Sequence, residues 1–383
     1  MGEPHGDSSL RFDLITTLAP FGGSLFLRRK QKTGEQEPTM LIIGCDFHSS
    51  FQQVAIFDNQ TGEIQERKLG HPEEAVAFYR SLKGAVQVGM EAGVPCQWLR
   101  RLLEECGHEL WVGDAAKIRA AEPRKQKTDR RDADLILKLM RHGQFPRIWV
   151  PSEEERDVRQ LLMDRHHRMR ARTQVKNQLQ SLALNQGMQK GRKLWSEAGM
   201  QALRELPMME HAGRRRDQLL RTVCDLDAQI AELDVLVRRQ AEGREDARRL
   251  MTHPGVGPQT ALGMVLTLGD VSRFECSKQV GSYLGLIPGE YSSGNKQRLG
   301  HISKQGSSLM RFLLVEAGQT AVRGDAPLRR AYARLAAKKS RAVAKVMVAR
   351  RLAVRLYWML RNQWTYTELA RHAGEPGSFC GAK

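Results

Sequence analysis

The sequence predicts a mixed α/β domain followed by a long, mainly helical region. Three observations carry that expectation. Three short segments with strand-like patterning follow one another: LIIGCDFH (41–48), SFQQVAIFD (50–58) and a third around IQERKLG, with Asn59 to Gly62 supplying turn chemistry before the last. Helical and strand patterns then alternate. After Pro151 the strand signal stops and helical spacing takes over.

Each element has its own warrant. HPEEAVAFYRSLKG carries a proline near its start and Gly84 at its end, as a helix favours. AVQVGMEA (85–92) reads as a buried strand, CQWLRRLLEECGHE as an amphipathic helix ending at Gly107, and ELWVGD as a further strand. The chain turns helical again from about Asp129. Three strands in meander, then helix, strand, helix, strand, helix, make an α/β layered domain with a mixed sheet over residues 40–150. Beyond it, residues 153–185 read as one long polar helix. Residues 216–250 hold Leu219, Val223, Leu226, Ile230, Leu233 and Val237 at alternating spacings of four and three. That spacing is a coiled-coil seam, and two such helices in succession make an antiparallel hairpin or dimerising arm over 151–248. A core helix inside a bundle would show the same apolar stripe. A third region, 249–365, opens at MTHPGVGPQTALGMVL and runs to basic helices near 328–363. Residues 1–39, ahead of the second methionine Met40, read as a disordered extension, and 366–383 as a flexible tail.

Composition narrows the partners. Lys+Arg number 61 against 43 Asp+Glu, a formal net charge of +18. Such a surplus points to a polyanion, because neutralised phosphates release condensed counterions. No apolar run approaches the roughly 20 residues of a membrane span, so nucleic acid is favoured over an anionic membrane. None of the six cysteines forms a CxxC pair and no histidine pair has zinc-ligand spacing, which argues against a structural zinc. The basic RRKQK follows the apolar LITTLAPFGGSLFL, the reverse of a signal peptide, so the expected compartment is the cytoplasm.

The acids of the first domain form a pattern. Asp46 lies on the first strand and Glu91 on the strand after the first helix. In a ribonuclease-H-type topology these strands are neighbours, and their carboxylates converge at one point on the sheet edge. Asp129 and Asp132, three residues apart on a helix, share one face. Converging carboxylates raise one another's pKa unless a cation lies between them. An oxygen-rich cluster of this kind suits Mg²⁺, with Mn²⁺ as the alternative, and paired ions can clamp an in-line phosphoryl transfer. Lys127, Arg130 and Arg131 beside the helix pair suit a nucleic-acid backbone; a surface helix laced with ion pairs is the plainer reading. Asp134 reads as a surface acid.

The third region adds two candidates. In PGVGP (254–258), Gly255 and Gly257 leave backbone N–H groups unshielded at a helix start, a ready phosphate site or simply a turn. In YSSGNKQRLGHISKQG, Ser292 and Ser293 stand among Lys296, Arg298, His301 and Lys304. A serine hydroxyl needs help to attack phosphorus, and nearby cations stabilise the phosphate it attacks. A polar DNA-contacting loop without chemistry fits the same residues.

In this order, IGCDFH, GMEAG, KTDRRDAD, HPGVGPQTA, YLGLIPGEYSSGNK and GHISKQG resemble the DEDD transposases of bacterial insertion sequences. These are relatives of the Piv-type DNA invertases and are also called bridge-RNA-guided recombinases. The resemblance runs from about Met40 to about Trp364. It implies a RuvC-like, ribonuclease-H-fold domain whose acidic tetrad is Asp46, Glu91, Asp129 and Asp132. It also implies a coiled-coil arm and a C-terminal transposase domain with a nucleophilic serine, which maps to Ser293, with Ser292 as the alternative. The resemblance further implies that this serine becomes joined to DNA through a phosphate. Homo-oligomers, dimer or tetramer, would assemble on a structured noncoding guide RNA that pairs with donor and target DNA.

Other functions compete with this one. A DEDD exonuclease would carry Asp-x-Glu on its first strand, whereas Asp46 is followed by Phe47 and His48. A water-using junction resolvase has no need of the serine-bearing third region. A non-catalytic nucleic-acid-binding scaffold would use the coiled coil as its working part.

Overall fold

The computed structural model describes residues 40–93, 97–122, 128–189, 191–290 and 298–372. The chain divides into two compact units at Trp149/Val150.

The first unit is built on a five-stranded sheet ordered β3-β2-β1-β4-β5. Its strands are β1 (Met40–Phe47), β2 (Phe51–Asp58), β3 (Ile64–Gly70), β4 (Ala85–Glu91) and β5 (Glu109–Gly113). The pairs β1–β2 and β2–β3 are antiparallel; β1–β4 and β4–β5 are parallel. The short loops of the meander permit the first arrangement, while the helical crossovers impose the second. The mixed sheet predicted from the alternation of patterns is therefore present, with β1 at its centre.

Period two sorts the side chains of β1. Ile43, Cys45 and Phe47 join Val54, Ile56, Val88 and Met90 in one apolar cluster. That cluster is covered by α1 (Glu73–Ser81), through Phe78 and Tyr79, and by α2 (Gln97–Glu105), through Leu99 and Leu103. The opposite face meets α3 (Ala115–Ala121) and α4 (Asp129–Arg141), whose Ile136, Leu137 and Met140 are buried. This second face is lined with glycine. A Cβ added to Gly44 would lie 2.2 Å from the Ala133 carbonyl oxygen, and one on Gly89 2.1 Å from the Met140 sulfur. Gly44 and Gly89 are register partners across β1 and β4, so α4 beds directly on the two central strands.

Among its described residues the second unit is helical apart from one short antiparallel strand pair. Helix α5 (Glu153–Asn185) starts in a capping box: the Ser152 hydroxyl accepts from Glu155 N–H at 3.1 Å, and the Ser152 N–H donates to the Glu155 carboxylate at 3.0 Å. After a 3-10 turn and α6 (Glu197–Glu205), α7 (Glu210–Glu242) returns antiparallel to α5. Arg165 pairs with Asp234 at 2.9 Å and Arg172 with Asp227 at 2.6 Å. Val223, Leu226, Ile230 and Val237 of the expected seam are buried, with Leu220 buried beside the partly buried Leu219, and Leu233 half-buried.

The far end of the hairpin has its own small core of Leu179, Ala183, Leu194, Leu203, Leu220 and Val223. Its near end, through Val158, Leu162, Val237 and Ala241, belongs to the main helical core. That core is completed by α8 (Glu245–Met251), α9 (Pro258–Leu268), α10 (Ser277–Tyr283), α11 (Ser308–Gly324), α13 (Arg341–Arg361) and α14 (Tyr366–His372), while α12 (Ala326–Lys338) packs through Leu328 in a separate cluster with Ala321 and Val348.

Two expectations need correction. Strand pairing does not end at Pro151: β6 (Pro288–Glu290) and β7 (Leu299–Ile302) form an antiparallel pair, too short to show alternation in sequence. The expected tail from residue 366 begins as a helix, because Leu369 of α14 is buried against the core.

Candidate active site

The geometry of the first unit follows from the sheet. Asp46 and Glu91 occupy the ends of the parallel strands β1 and β4, one residue beyond the Cys45–Met90 register pair. By alternation both fall on the Gly44–Gly89 face, the side that α4 covers. Asp129 and Asp132 form the first turn of α4, where the positive end of the helix dipole offsets part of the cost of gathering carboxylates. The close bed of α4 on Gly44 brings that turn to the end of β1.

Three side chains meet there. His48 Nε2 lies 3.1 Å from Asp46 Oδ2 and 3.5 Å from Asp129 Oδ1. Among the described residues, Asp46, His48 and Asp129 form a group whose potential ligand atoms all lie within 4.8 Å of one another. Asp46 is the most sheltered of the three, with a side chain 17% exposed. Burial raises its pKa above the ordinary carboxylate value, the contact with His48 opposes that rise, and the charges of Asp132 and Asp129 add to it. A divalent cation would relieve both the burial and the repulsion, so the donor set fits one.

Glu91 and Asp132 stand outside the three-residue group. Glu91 lies on the same sheet face one strand over, where its Oε1 is 3.3 Å from Arg119 Nη2 on α3. Asp132 acts on Asp46 through its charge. Arg130, expected to hold phosphate, is ion-paired with Glu66 on β3. Arg131 is exposed. Lys127 lies outside the described residues.

His48 is the residue that sequence reasoning missed. It stood in IGCDFH without a role, although two residues beyond Asp46 a side chain returns to the same face. Its ring stacks on Phe51, with centroids 4.6 Å apart, and its backbone N–H donates to the Phe51 carbonyl at 2.9 Å, closing the turn between β1 and β2.

In the second unit the two glycines of PGVGP part company. Gly255 has φ +82°, and a Cβ there would lie 2.4 Å from Ala321 N, so its role is close packing on α11. Gly257 is exposed, with open space around it, and caps α9 ahead of Pro258. Ser292, Ser293 and Lys296 fall in the segment joining β6 to β7, outside the described residues. Arg298 and Lys304 are exposed. The turn holding Lys304 is locked down: Lys304 N–H donates to the Gly285 carbonyl at 3.2 Å, and a Cβ on Gly285 would strike Gln305 O at 2.2 Å. Gly285 of YLGLIPG and Gly306 of SKQG thus pack the two stretches together through their backbones.

Comparison with known proteins decides what this combination is. Residues 43–188 match the profile of the DEDD transposases of the IS110 type, and residues 247–334 match that of the transposase IS116/IS110/IS902 family. The chain is 30% identical over 314 residues to the transposase for insertion sequence element IS1111A of Coxiella burnetii, covering 78% of this chain and 82% of that protein. It belongs to the IS116/IS110/IS902 transposase family.

Further relatives agree. A probable family 20 transposase of Pseudomonas aeruginosa is 29% identical over 288 residues, 73% of this chain and 84% of its own length. A pilin gene-inverting protein of Moraxella bovis is 27% identical over 175 residues, 44% of this chain and 45% of that one. As an insertion-sequence transposase, the protein has DNA as its substrate, and its reaction class is DNA cleavage and rejoining. The first match contains all four acids of the expected tetrad, and the second contains Ser292 and Ser293. Among the described residues, no helix of this transposase is long and apolar enough to cross a membrane.

Proposed function

We propose that this transposase cuts and rejoins DNA through a phosphoserine intermediate, with a divalent cation, Mg²⁺ or Mn²⁺, at the sheet edge. The meeting of Asp46, His48 and Asp129 carries the reading: it places two carboxylates and an imidazole within ligand distance in a chain of the DEDD transposase family. Asp132 and Glu91 complete the acidic set around them. When bound, the ion supplies Lewis acidity to the phosphate oxygens.

The nucleophile is Ser293, with Ser292 as the alternative. Its Oγ bonds to phosphorus as the bond from phosphorus to one deoxyribose oxygen breaks. The serine proton departs and the released sugar oxygen takes one up. The ester linkage is conserved, so attack by a new sugar hydroxyl frees the serine and seals a strand. Arg298 and Lys304, both exposed, flank the serine segment in sequence and neutralise phosphate charge, together with Lys296, Lys127 and Arg131. The protein works as a homo-oligomer, dimer or tetramer, on a structured noncoding RNA that selects donor and target DNA; the ordered motifs of the IS110 type support this part.

The test is direct. Ser293→Ala should leave nucleic-acid binding and metal binding intact yet stop strand cleavage. A trapped wild-type reaction should contain a DNA-linked peptide spanning Tyr291 to Lys296. Wild-type cleavage by both Ser293→Ala and Ser292→Ala, with no adduct, would assign the nucleophile to water instead.

A further inference from the structure

We propose that His48 is itself a metal ligand, and that its imidazole nitrogen biases the centre toward a transition-metal ion such as Mn²⁺ over Mg²⁺. The inference rests on the reading of Asp46 and Asp129 as a metal site and adds the identity of the ion the site selects.

The distances carry it first. Adjacent ligands of an octahedral ion with bonds of about 2.1 Å are about 3 Å apart. His48 Nε2 lies 3.1 Å from one aspartate oxygen and 3.5 Å from the other, so all three atoms converge on one volume. A hydrogen-bonding role explains this less well. Nε2 carries at most one proton, and one N–H cannot serve two carboxylates on separate elements equally. The ring is also held in place: it stacks on Phe51 at 23° between planes, and the backbone turn from His48 to Phe51 is closed by a 2.9 Å hydrogen bond. Such fixing of a ligand's ring is what a metal site needs.

The acids point the same way. A tetrad of four carboxylates would make an all-oxygen centre, the kind that suits Mg²⁺. In this chain Glu91 is engaged by Arg119, and the group within 4.8 Å is two oxygens and one nitrogen. Imidazole adds little to Mg²⁺ binding but strengthens binding of first-row transition ions.

The experiment measures metal, not recombination. Mn²⁺ and Mg²⁺ affinities are determined by calorimetry for the full chain and for His48→Ala, His48→Asn and Asp46→Asn, with circular dichroism to check folding. His48→Ala should weaken Mn²⁺ binding about tenfold or more, the scale on which support for a metal site is lost, while Mg²⁺ affinity changes less than twofold. Pulsed electron paramagnetic resonance of bound Mn²⁺ should show a ¹⁴N coupling in the wild type that disappears in both His48 variants. The coupling isolates His48 from the other histidines and does not depend on either variant's stability. Absence of ¹⁴N coupling in the wild type, or its survival in folded His48→Ala, overturns the proposal. Equal weakening of both ions also overturns it, since a purely structural role would act on both. Asp46→Asn separates this from the underlying site: if it leaves binding of both ions unchanged, the centre itself is misplaced, whatever His48 does.

Discussion

Gly44 of β1 and Ala133 of α4 touch through their backbones: a Cβ on Gly44 would stand 2.2 Å from the Ala133 carbonyl oxygen and 2.5 Å from Leu137 N. No rotamer change can relieve a clash between a strand and a helix backbone. Gly44→Ala must therefore lift α4, and with it Asp129, from the end of β1. Overpacking of this kind costs about 1–3 kcal/mol. Gly113→Ala is the control, because its Cβ would meet the ring edge of Phe145 at 2.6 Å and the Ile118 methyl at 2.8 Å, side-chain ends that can turn aside. Urea unfolding should show the larger loss for Gly44→Ala, with Mn²⁺ affinity falling only there. Equal losses would mean that α4 does not depend on this approach.

Asp46 and Asp129 belong to different elements but face one histidine nitrogen. Asp46→Asn and Asp129→Asn should each abolish strand cleavage in the purified transposase while leaving its circular dichroism unchanged. Excess EDTA should do the same to the wild type, with activity returning when divalent cation is restored. Full cleavage in EDTA would remove the metal from the reaction.

What the sequence disclosed, and what it hid, follows from the range of the signals. The strand patterning of β1 and β2 and the helical pattern from Asp129 are local, so all three elements were legible, as were Asp46 and Asp129 as candidates. Gly44 and Gly89 were legible only as motif residues, since nothing within a strand names the helix that will lie on it. His48 was hidden for the same reason: its partners include Asp129, which is distant in sequence. Gly255 suited a phosphate turn until Ala321 of α11 proved to be packed against it. In the long hairpin the four-three spacing was visible, but whether the seam met α5 of the same chain or another copy depended on pairs such as Arg165–Asp234, which spacing does not encode.

Leu226 lies on the buried face of α7, whereas Val235 is 66% exposed. Leu226→Asp should cost about 3 kcal/mol or more, because it buries a carboxylate without a partner. Val235→Asp should stay within about 0.5 kcal/mol of wild type, as surface changes do. Chemical denaturation followed by helical circular dichroism distinguishes them. Comparable behaviour of the two variants would deny the seam a place in the hairpin.

The net charge of +18 makes a quantitative demand on affinity. Binding to DNA should fall steeply with salt, the log–log slope counting the phosphates neutralised. Lys304→Ala should reduce that slope by about one if its exposed ammonium meets a phosphate. A fluorescence titration between low and physiological salt measures both, and a flat profile would exclude a phosphate-tracking surface.

His253 offers a test of the second unit through pH. The ring is 1% exposed, lies edge-on to Tyr366 at 4.8 Å, and donates its Nδ1–H to the Pro254 carbonyl at 2.9 Å. Among the described residues its Nε2 has no hydrogen-bond partner. Burial lowers its pKa to about 4, with the Pro254 contact opposing the drop and Arg355 deepening it. In the unfolded chain the ring titrates near 6.5. Between those values the unfolded state binds more protons than the folded one, so stability falls as the solution is acidified. The contribution is intact above about pH 6.5 and is lost progressively toward pH 4, a change of about 3 kcal/mol. His253→Phe keeps the edge-on ring and removes the proton site. Wild type and variant should therefore keep a constant stability difference above pH 7, and the variant should gain on the wild type by about that amount as pH falls to 4. Parallel stability curves across the whole range would show that His253 is protonated to the same extent in the folded and unfolded chains.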